Sequence, residues 1–475
     1  MSIEPIGAVT MLLGLIALFR GPDFALGAFI PLTLLGAAAA ILLGGSGTIQ
    51  PAHLMLGFFA IAVFASPNRF GPVLRSLTFP REGFWFCALA AYGIAGAFLL
   101  PRLFAGATGV NAIGATEHGP SVVLVPLGPT SGNITQSIYL IADIVCFLAV
   151  LTYAARPRGF VRVLRALLVY AGVNIILAGI DLATGLTGTG FLLDFIRNAD
   201  YQLHLEETTG GLRRIVGSFT ETSAFSYATV GSLGFTAQLW LLGYQPWLTG
   251  TLSLASLMLL AFSTSTTAYV ATPLLVAVLY ASSLLRVSRG RAPATTFVFL
   301  ALAPLATLLL GLGIALTPPA SQAILDFLDV AIVGKSASQS GLERAQWNQT
   351  AFQNFVDTSG MGGGLGSIRA SSFLLAVLSN LGVIGLLCFT MILLQIFRPF
   401  QQARQGDDKT YGRSAARIAC GGILIAATVS GALVDLGLPF FVFAGLACAA
   451  GDRSSAREEW ACDLSPDRNP SSSSR

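Results

Sequence analysis

Charge is scarce in this chain: Asp, Glu, Lys and Arg supply 11% of its 475 residues, against 54% hydrophobic ones. So little polar surface excludes a soluble globule, whose exterior must carry charged side chains. A mean hydropathy of +0.73 gives the same answer. Histidine and cysteine are also thin, at three and six residues. There is no CxxC or Cys/His spacing, so structural zinc is excluded, and the outer loops hold no Asp-x-Asp cluster for a divalent cation. The glycine-rich run Gly360-Met361-Gly362-Gly363-Gly364-Leu365-Gly366-Ser367 lacks the Lys-Ser/Thr ending of a nucleotide P-loop. No internal repeat is present, which removes the two-halves signature of many secondary transporters.

What is present is a series of apolar runs of roughly 15 to 25 residues between charged or Pro/Gly-rich breaks, the length of membrane-crossing helices. About 13 candidate spans begin near Pro5, Phe24, Pro51, Phe84, Gln136, Leu164, Ser223, Leu248, Thr267, Thr295, Ser371, Ile418 and Phe440. The predicted fold class is therefore all-α: a polytopic transmembrane helix bundle over 1–450, with interfacial helices in a large outer loop. A polar, Ser-rich, disordered cytoplasmic tail follows over 451–475. The first run lacks the basic leader and A-x-A-like cleavage site of a secretory signal, so it is read as a retained helix.

Orientation follows from the rule that cytoplasmic loops keep Lys and Arg. Alternating the loops places the clusters around Arg75, Arg158, Arg289 and Arg413 on one side, with Arg20 and the tail arginines. Seven of the 27 basic residues remain outside: Arg102, Arg197, Arg213, Arg214, Lys335, Arg344 and Arg369. The amino terminus is then outside and the carboxyl terminus inside. The net charge of +4 is a product of this topology and implies no nucleic acid.

Three outer segments are long, about 101–135, 186–222 and 317–370, and loops of that length in a membrane protein are more often functional than decorative. The first reads as irregular or short extended structure, with Arg102, Glu117 and His118 its only chemistry. In the second, Phe191, Leu192, Phe195, Ile196 and Ala199 recur at helical spacing, predicting an amphipathic helix at the interface. The third carries two more such stretches, Ala320 to Val333 and Gly341 to Asp357. In the latter Trp347, Ala351 and Phe355 stack while Arg344, Asn348 and Gln349 occupy other faces. The glycine run after it reads as a flexible strip that brings backbone N–H groups close to anything bound. Asp143 and Asp181 fall inside predicted spans, where they either line an ion path or are hydrogen-bonded between helices.

Two segments, in this order and setting, resemble the O-antigen polymerase and O-antigen ligase superfamily of bacterial envelope glycosyltransferases. The first is Arg213-Arg214-Ile215-Val216-Gly217-Ser218-Phe219-Thr220-Glu221. The second is Glu343-Arg344-Ala345-Gln346-Trp347-Asn348, then Gly362 to Gly366, Ser371-Ser372 and Asn380-Leu381-Gly382-Val383-Ile384-Gly385. Between them, Phe262-Ser263-Thr264-Ser265-Thr266-Thr267 is similar to the family's Ser-x-Ser segment. The chain departs from the pattern twice. Thr stands where an arginine commonly follows Ser-x-Ser, and no histidine stands near Ser371-Ser372, where many members place a catalytic one.

The resemblance implies polymerisation of undecaprenyl-diphosphate-linked oligosaccharide repeats into exopolysaccharide, capsule or O-antigen at the periplasmic face of the bacterial inner membrane. Membrane lipids, chain-length regulators and export proteins would be its other partners. Such transfer must neutralise charge growing on the leaving diphosphate, and guanidinium groups do this without metal or cofactor. Arg214 and Arg344 are the first candidates for that clamp, with Arg213, Arg369 and Lys335 behind them and Trp347 against the glycan. Glu221, at the outer end of a span, is the leading candidate for the base that takes the acceptor hydroxyl proton, ahead of Glu343, Asp357 and His204. Glu221 could instead cap its helix, and the arginines could simply bind lipid phosphate or Glu206, Glu207 and Glu343. The competing functions are ligase-type transfer to a lipid or other acceptor, a transporter or flippase of lipid-linked sugars, and a non-enzymatic partner in glycan export.

Overall fold

Proline and glycine set the helix boundaries, because proline costs nothing in the first turn, where its missing N–H has no partner to lose. The computed structural model describes residues 1–43, 47–65, 70–116, 119–156, 158–199, 208–209, 212–290, 292–317, 321–322, 339–398 and 407–449. The chain opens with β1 (Ser2–Ile3), α1 (Pro5–Arg20) and α2 (Pro22–Leu32), the two helices reversing at Gly21 with φ 85°. Next come β2 (Ile41–Leu42), β3 (Thr48–Ile49), α3 (Pro51–Phe64), the short α4 (Gly71–Ser76) and α5 (Glu82–Leu103). A hairpin of β4 (Gly109–Thr116) and β5 (Gly119–Pro126) leads to α6 (Ser131–Ala154) and α7 (Gly159–Thr187). A 3₁₀ segment (Gly190–Ile196), β6 (Thr208–Thr209) and β7 (Leu212–Arg213) precede α8 (Thr222–Leu241), α9 (Pro246–Phe262), α10 (Thr266–Ser288) and α11 (Ala294–Leu316). The last four helices are α12 (Gln339–Asp357), α13 (Phe373–Phe397), α14 (Asp408–Ser430) and α15 (Gly437–Cys448).

Every candidate span thus has a helix at its place, and among the described residues six helices (α5, α6, α7, α10, α11 and α13) are long and apolar enough to cross a membrane. The shorter apolar α1, α2, α3, α9 and α15 add to them. This is the pattern of a multi-pass membrane protein. Its inside and outside invert the soluble arrangement. α8 is almost wholly buried yet carries Ser226, Thr229 and Thr236, whose hydroxyls donate to carbonyls one turn back at 2.8, 2.7 and 2.9 Å. Gly234 of α8 lets α14 approach so closely that a Cβ there would sit 3.1 Å from the Ile418 carbonyl oxygen. Outward faces are bare hydrocarbon, as at Ile176 and Leu308, exposed by 61% and 66%. α15, phenylalanine-rich and buried, packs against α6 and α14 in the middle of the bundle.

The 101–135 stretch contains a regular antiparallel ladder, Gly109 opposite Pro126 through Thr116 opposite Gly119, the extended form of the two alternatives expected there. The amphipathic helix expected at 191–199 is a single 3₁₀ segment, burying Leu193 and Ile196 and exposing Phe191, Leu192 and Phe195. It ends early because the following residues are claimed elsewhere: Asn198 accepts from the Ala39 N–H at 3.0 Å and donates to the Ala39 carbonyl at 3.1 Å. α12 forms over nearly the span expected for it. All but 321–322 of the helix expected from Ala320 to Val333, the tail 451–475, and Lys335, His204, Glu206, Glu207, Glu117 and His118 lie outside the described residues.

Candidate functional site

Asp181, near the end of α7, organises the first half of the polar end of the bundle. Its side chain is 2% exposed, and it accepts from Arg197 Nη2 at 2.7 Å, Arg213 Nη2 at 3.3 Å, and the N–H groups of Val216 and Gly217 at 2.9 and 3.0 Å. Arg197 also donates Nε to the Gly217 carbonyl at 3.1 Å. A buried carboxylate with four donors is fully compensated, so Asp181 is a structural clasp on the 213–217 segment. Arg213 is committed to that clasp. Arg197, which the sequence reading left among the outer cations without a role, is the more buried of its two arginines.

Beyond the clasp, Arg214 lies within electrostatic reach of Tyr269 on the first turn of α10. Tyr269 donates its hydroxyl to the Ala261 carbonyl at 3.1 Å, closing the turn between α9 and α10. That turn is the Ser263-Thr264-Ser265 segment, wholly buried, with Thr264 held at φ 54°. The hydroxyls of Ser265 and Thr222 are buried with no hydrogen-bond partner among the described residues. Glu221 occupies the position before α8, half-buried, in extended conformation. Its carboxylate accepts from the Ser223 hydroxyl instead of capping a backbone N–H, and no arginine pairs with it among the described residues.

The glycine run is not a flexible strip. Its N–H groups are already spent: Gly363 donates to the Ser379 carbonyl at 2.7 Å, Gly364 to the Asn380 carbonyl at 3.0 Å, and Gly366 to Asn380 Oδ1 at 3.0 Å. The run threads into a break in α13 at Gly382, where φ is 61°, and a Cβ on Gly362 or Gly364 would come within 2.7 Å of Asn380 or Pro101. The glycines are there for close approach to protein, not to ligand. Asn133 secures the far side, donating to the Leu365 carbonyl and Ser367 Oγ, each at 2.8 Å.

This rigid loop presents α12 and Arg369 to each other. Asn348 of α12 accepts from the Ser371 N–H at 2.7 Å, so Asn348 lies on the docked face with the buried Ala351 rather than on a separate one. Arg344 is one turn before Asn348 and Arg369 is two residues before Ser371, so the two cations bracket that bond. Both are half-buried, and neither makes a hydrogen bond or ion pair among the described residues. Burial pushes the Arg369 guanidinium below its ordinary range, although a guanidinium keeps its proton in a protein. A cation so placed gains most from an anion that enters. Trp347 is half-buried on the same helix.

The two halves meet through the turn 431–436. Its Ala432 carbonyl accepts from the Ala370 N–H at 3.4 Å, beside Arg369, and its Leu436 carbonyl accepts from Tyr227 of α8 at 2.9 Å, two turns below Glu221. No family model and no curated protein matches this chain. The geometry therefore stands alone. It places Arg344 and Arg369 on the two segments tied by the Asn348–Ser371 bond, brings Arg214 within electrostatic reach of Tyr269 beside the Ser263–Ser265 turn, leaves Glu221 without a cation partner among the described residues, and assigns Arg213 to the Asp181 clasp. No group of three or more His, Cys, Asp or Glu that could hold a metal occurs among the described residues. Sequence reasoning named Arg197, Asn348 and Asn380 but not their roles, as a clasp arginine, a tie to Ser371 and the anchor of the glycine run.

Proposed function

We propose that this chain is a polysaccharide polymerase that extends glycans carried on undecaprenyl diphosphate, at the periplasmic face of a bacterial inner membrane. The observation that carries the reading is the pair Arg344 and Arg369, half-buried cations with no hydrogen bond or ion pair among the described residues, on the two segments that the Asn348–Ser371 hydrogen bond ties together. In the proposed reaction the acceptor hydroxyl oxygen attacks the anomeric carbon and the bond to the diphosphate oxygen breaks. Arg344, Arg369 and Arg214 neutralise the departing diphosphate. Glu221 takes the hydroxyl proton, which it then releases to water. Ligase-type transfer would use the same donor and the same cations, and differs only in the acceptor.

A second reading has its own observation. Asp143, 2% exposed in α6, lies against Asp435 of the 431–436 turn, and Asp435 in turn acts on His53, whose ring stacks on Tyr139 at 4.9 Å. Buried ionisable clusters of this kind are the usual parts of a proton path, which would suit a transporter of lipid-linked sugars. Reconstitution in liposomes with lipid-diphosphate-linked repeats and EDTA separates the two. Longer lipid-linked chains, lost in Arg344→Ala, support the polymerase. Units of unchanged length that cross the bilayer support the transporter and remove the catalytic roles.

A further inference from the structure

α12 has a second face, opposite to the one that carries Arg344, Asn348 and the buried Ala351. Gln346, Gln349, Thr350, Gln353 and Asp357 recur at three- and four-residue intervals, so they form one stripe along the helix. That stripe does not face the bundle. It forms one wall of a groove of about 430 Å³, closed on the other side by the base of the β4–β5 hairpin at Thr108, Gly109 and Leu124. The groove is built, not incidental. Thr108 donates to Asp357 at 2.6 Å, Gln353 donates to the other Asp357 oxygen at 2.7 Å, and Asn354 donates to Thr108 Oγ1 at 2.8 Å and to the Gly109 carbonyl at 2.6 Å. Asn354 is 0% exposed, and its Oδ1 has no hydrogen-bond partner among the described residues.

The chemistry of this lining is specific. Among the described residues it holds carboxamides, hydroxyls, one carboxylate and the Leu124 side chain, and no cation, so they offer a phosphate no counter-charge. Side-chain amides present a donor and an acceptor in one plane, which matches a pair of neighbouring hydroxyls, and Asp357 can accept from a third. The opposite face of the same helix has the cation Arg344, and its one amide, Asn348, has its Oδ1 engaged by the Ser371 N–H. We infer that this groove binds the uncharged hydroxyl-bearing part of a glycan, the saccharide units, while the Arg344 face handles the diphosphate. The inference rests on the reading that the protein works on lipid-linked glycans. It assigns the amide stripe to the sugar chain itself and places sugar and diphosphate on two sides of α12.

The test uses the full-length protein in detergent and a probe without diphosphate: the free oligosaccharide released by mild acid from the host's own lipid-linked pool. Gln346, Gln349 and Gln353 are solvent-exposed, so the triple variant Gln346→Ala/Gln349→Ala/Gln353→Ala is expected to fold, which its thermal unfolding profile checks. Calorimetric titration should show saturable binding to the parent and at least a tenfold weaker Kd for the triple variant. A single Gln349→Leu variant, which fills the groove with a methyl-bearing side chain, should give a smaller loss in the same direction. Equal affinity for parent and triple variant, or no binding by the parent at millimolar oligosaccharide, would overturn the inference. Chain extension from the lipid-linked donor is scored separately. If extension proceeds normally in the triple variant, the groove assignment fails and the polymerase reading stands. If the oligosaccharide binds in the groove and no extension occurs in any preparation, the groove stands and the polymerase reading fails.

Discussion

Arg213 and Arg344 have the same side chain on the same end of the molecule, and the protein uses them in opposite ways. Arg213 joins Arg197 on Asp181, in a network where the carboxylate is buried and every donor around it is satisfied. Arg344 stands one helical turn from Asn348 with no counter-ion among the described residues, and Arg369 shares its situation. The first arrangement holds a segment of chain; the second leaves positive charge to be met by something else. An arginine in a loop between spans is therefore informative about function only once the carboxylates within its reach are known.

The comparison can be broken at its strongest point first. Asp181→Ala should strand the buried Arg197 guanidinium and two backbone N–H groups and release the partly exposed Arg213, at a cost of about 3 to 5 kcal/mol. The expected result is loss of a monodisperse peak in size-exclusion chromatography of the solubilised protein. Arg344→Ala should leave that peak intact and lower chain extension by roughly 30-fold or more, as expected when a charged contact worth about 2 to 5 kcal/mol is removed. Arg344→Lys should recover only part of the rate, since an ammonium cannot grip a phosphate with a planar fork. Asn348→Ala removes the tie to Ser371 and strands one N–H, for about 1 to 3 kcal/mol of stability. Extension should also slow, because Arg344 and Arg369 are no longer fixed relative to each other. Arg213→Ala should have the smallest effect, below about 1 kcal/mol, because its side chain is one-third exposed and Asp181 keeps Arg197 and both N–H groups.

The helices were legible because they are long and apolar, and each predicted span coincides with one of them. α12 was legible from its amphipathic spacing, and Arg344 and Trp347 were singled out on it. The glycine run was legible as a special feature but not as what it is, since a need for small residues reads the same whether a ligand or a neighbouring helix approaches. Only the partner atoms, Asn380 and Pro101, distinguish the two. The Asp181 clasp was illegible for a similar reason: Asp181, Arg197 and Arg213 lie on three consecutive segments, and nothing in their spacing pairs them. The hairpin at 109–126 was legible only as short extended or irregular chain, because its glycines and prolines weaken the alternation that marks a strand.

The central claim is that Arg344 and Arg369 receive the diphosphate while Arg213 does not. The measurement that tests it most directly is the affinity of undecaprenyl diphosphate for the protein in nanodiscs, compared among the parent, Arg344→Ala and Arg213→Ala. The account predicts at least a tenfold loss for Arg344→Ala and less than about a threefold change for Arg213→Ala, as expected of a charged contact set against a surface-type pair. Undiminished binding by Arg344→Ala, or the greater loss in Arg213→Ala, would contradict it.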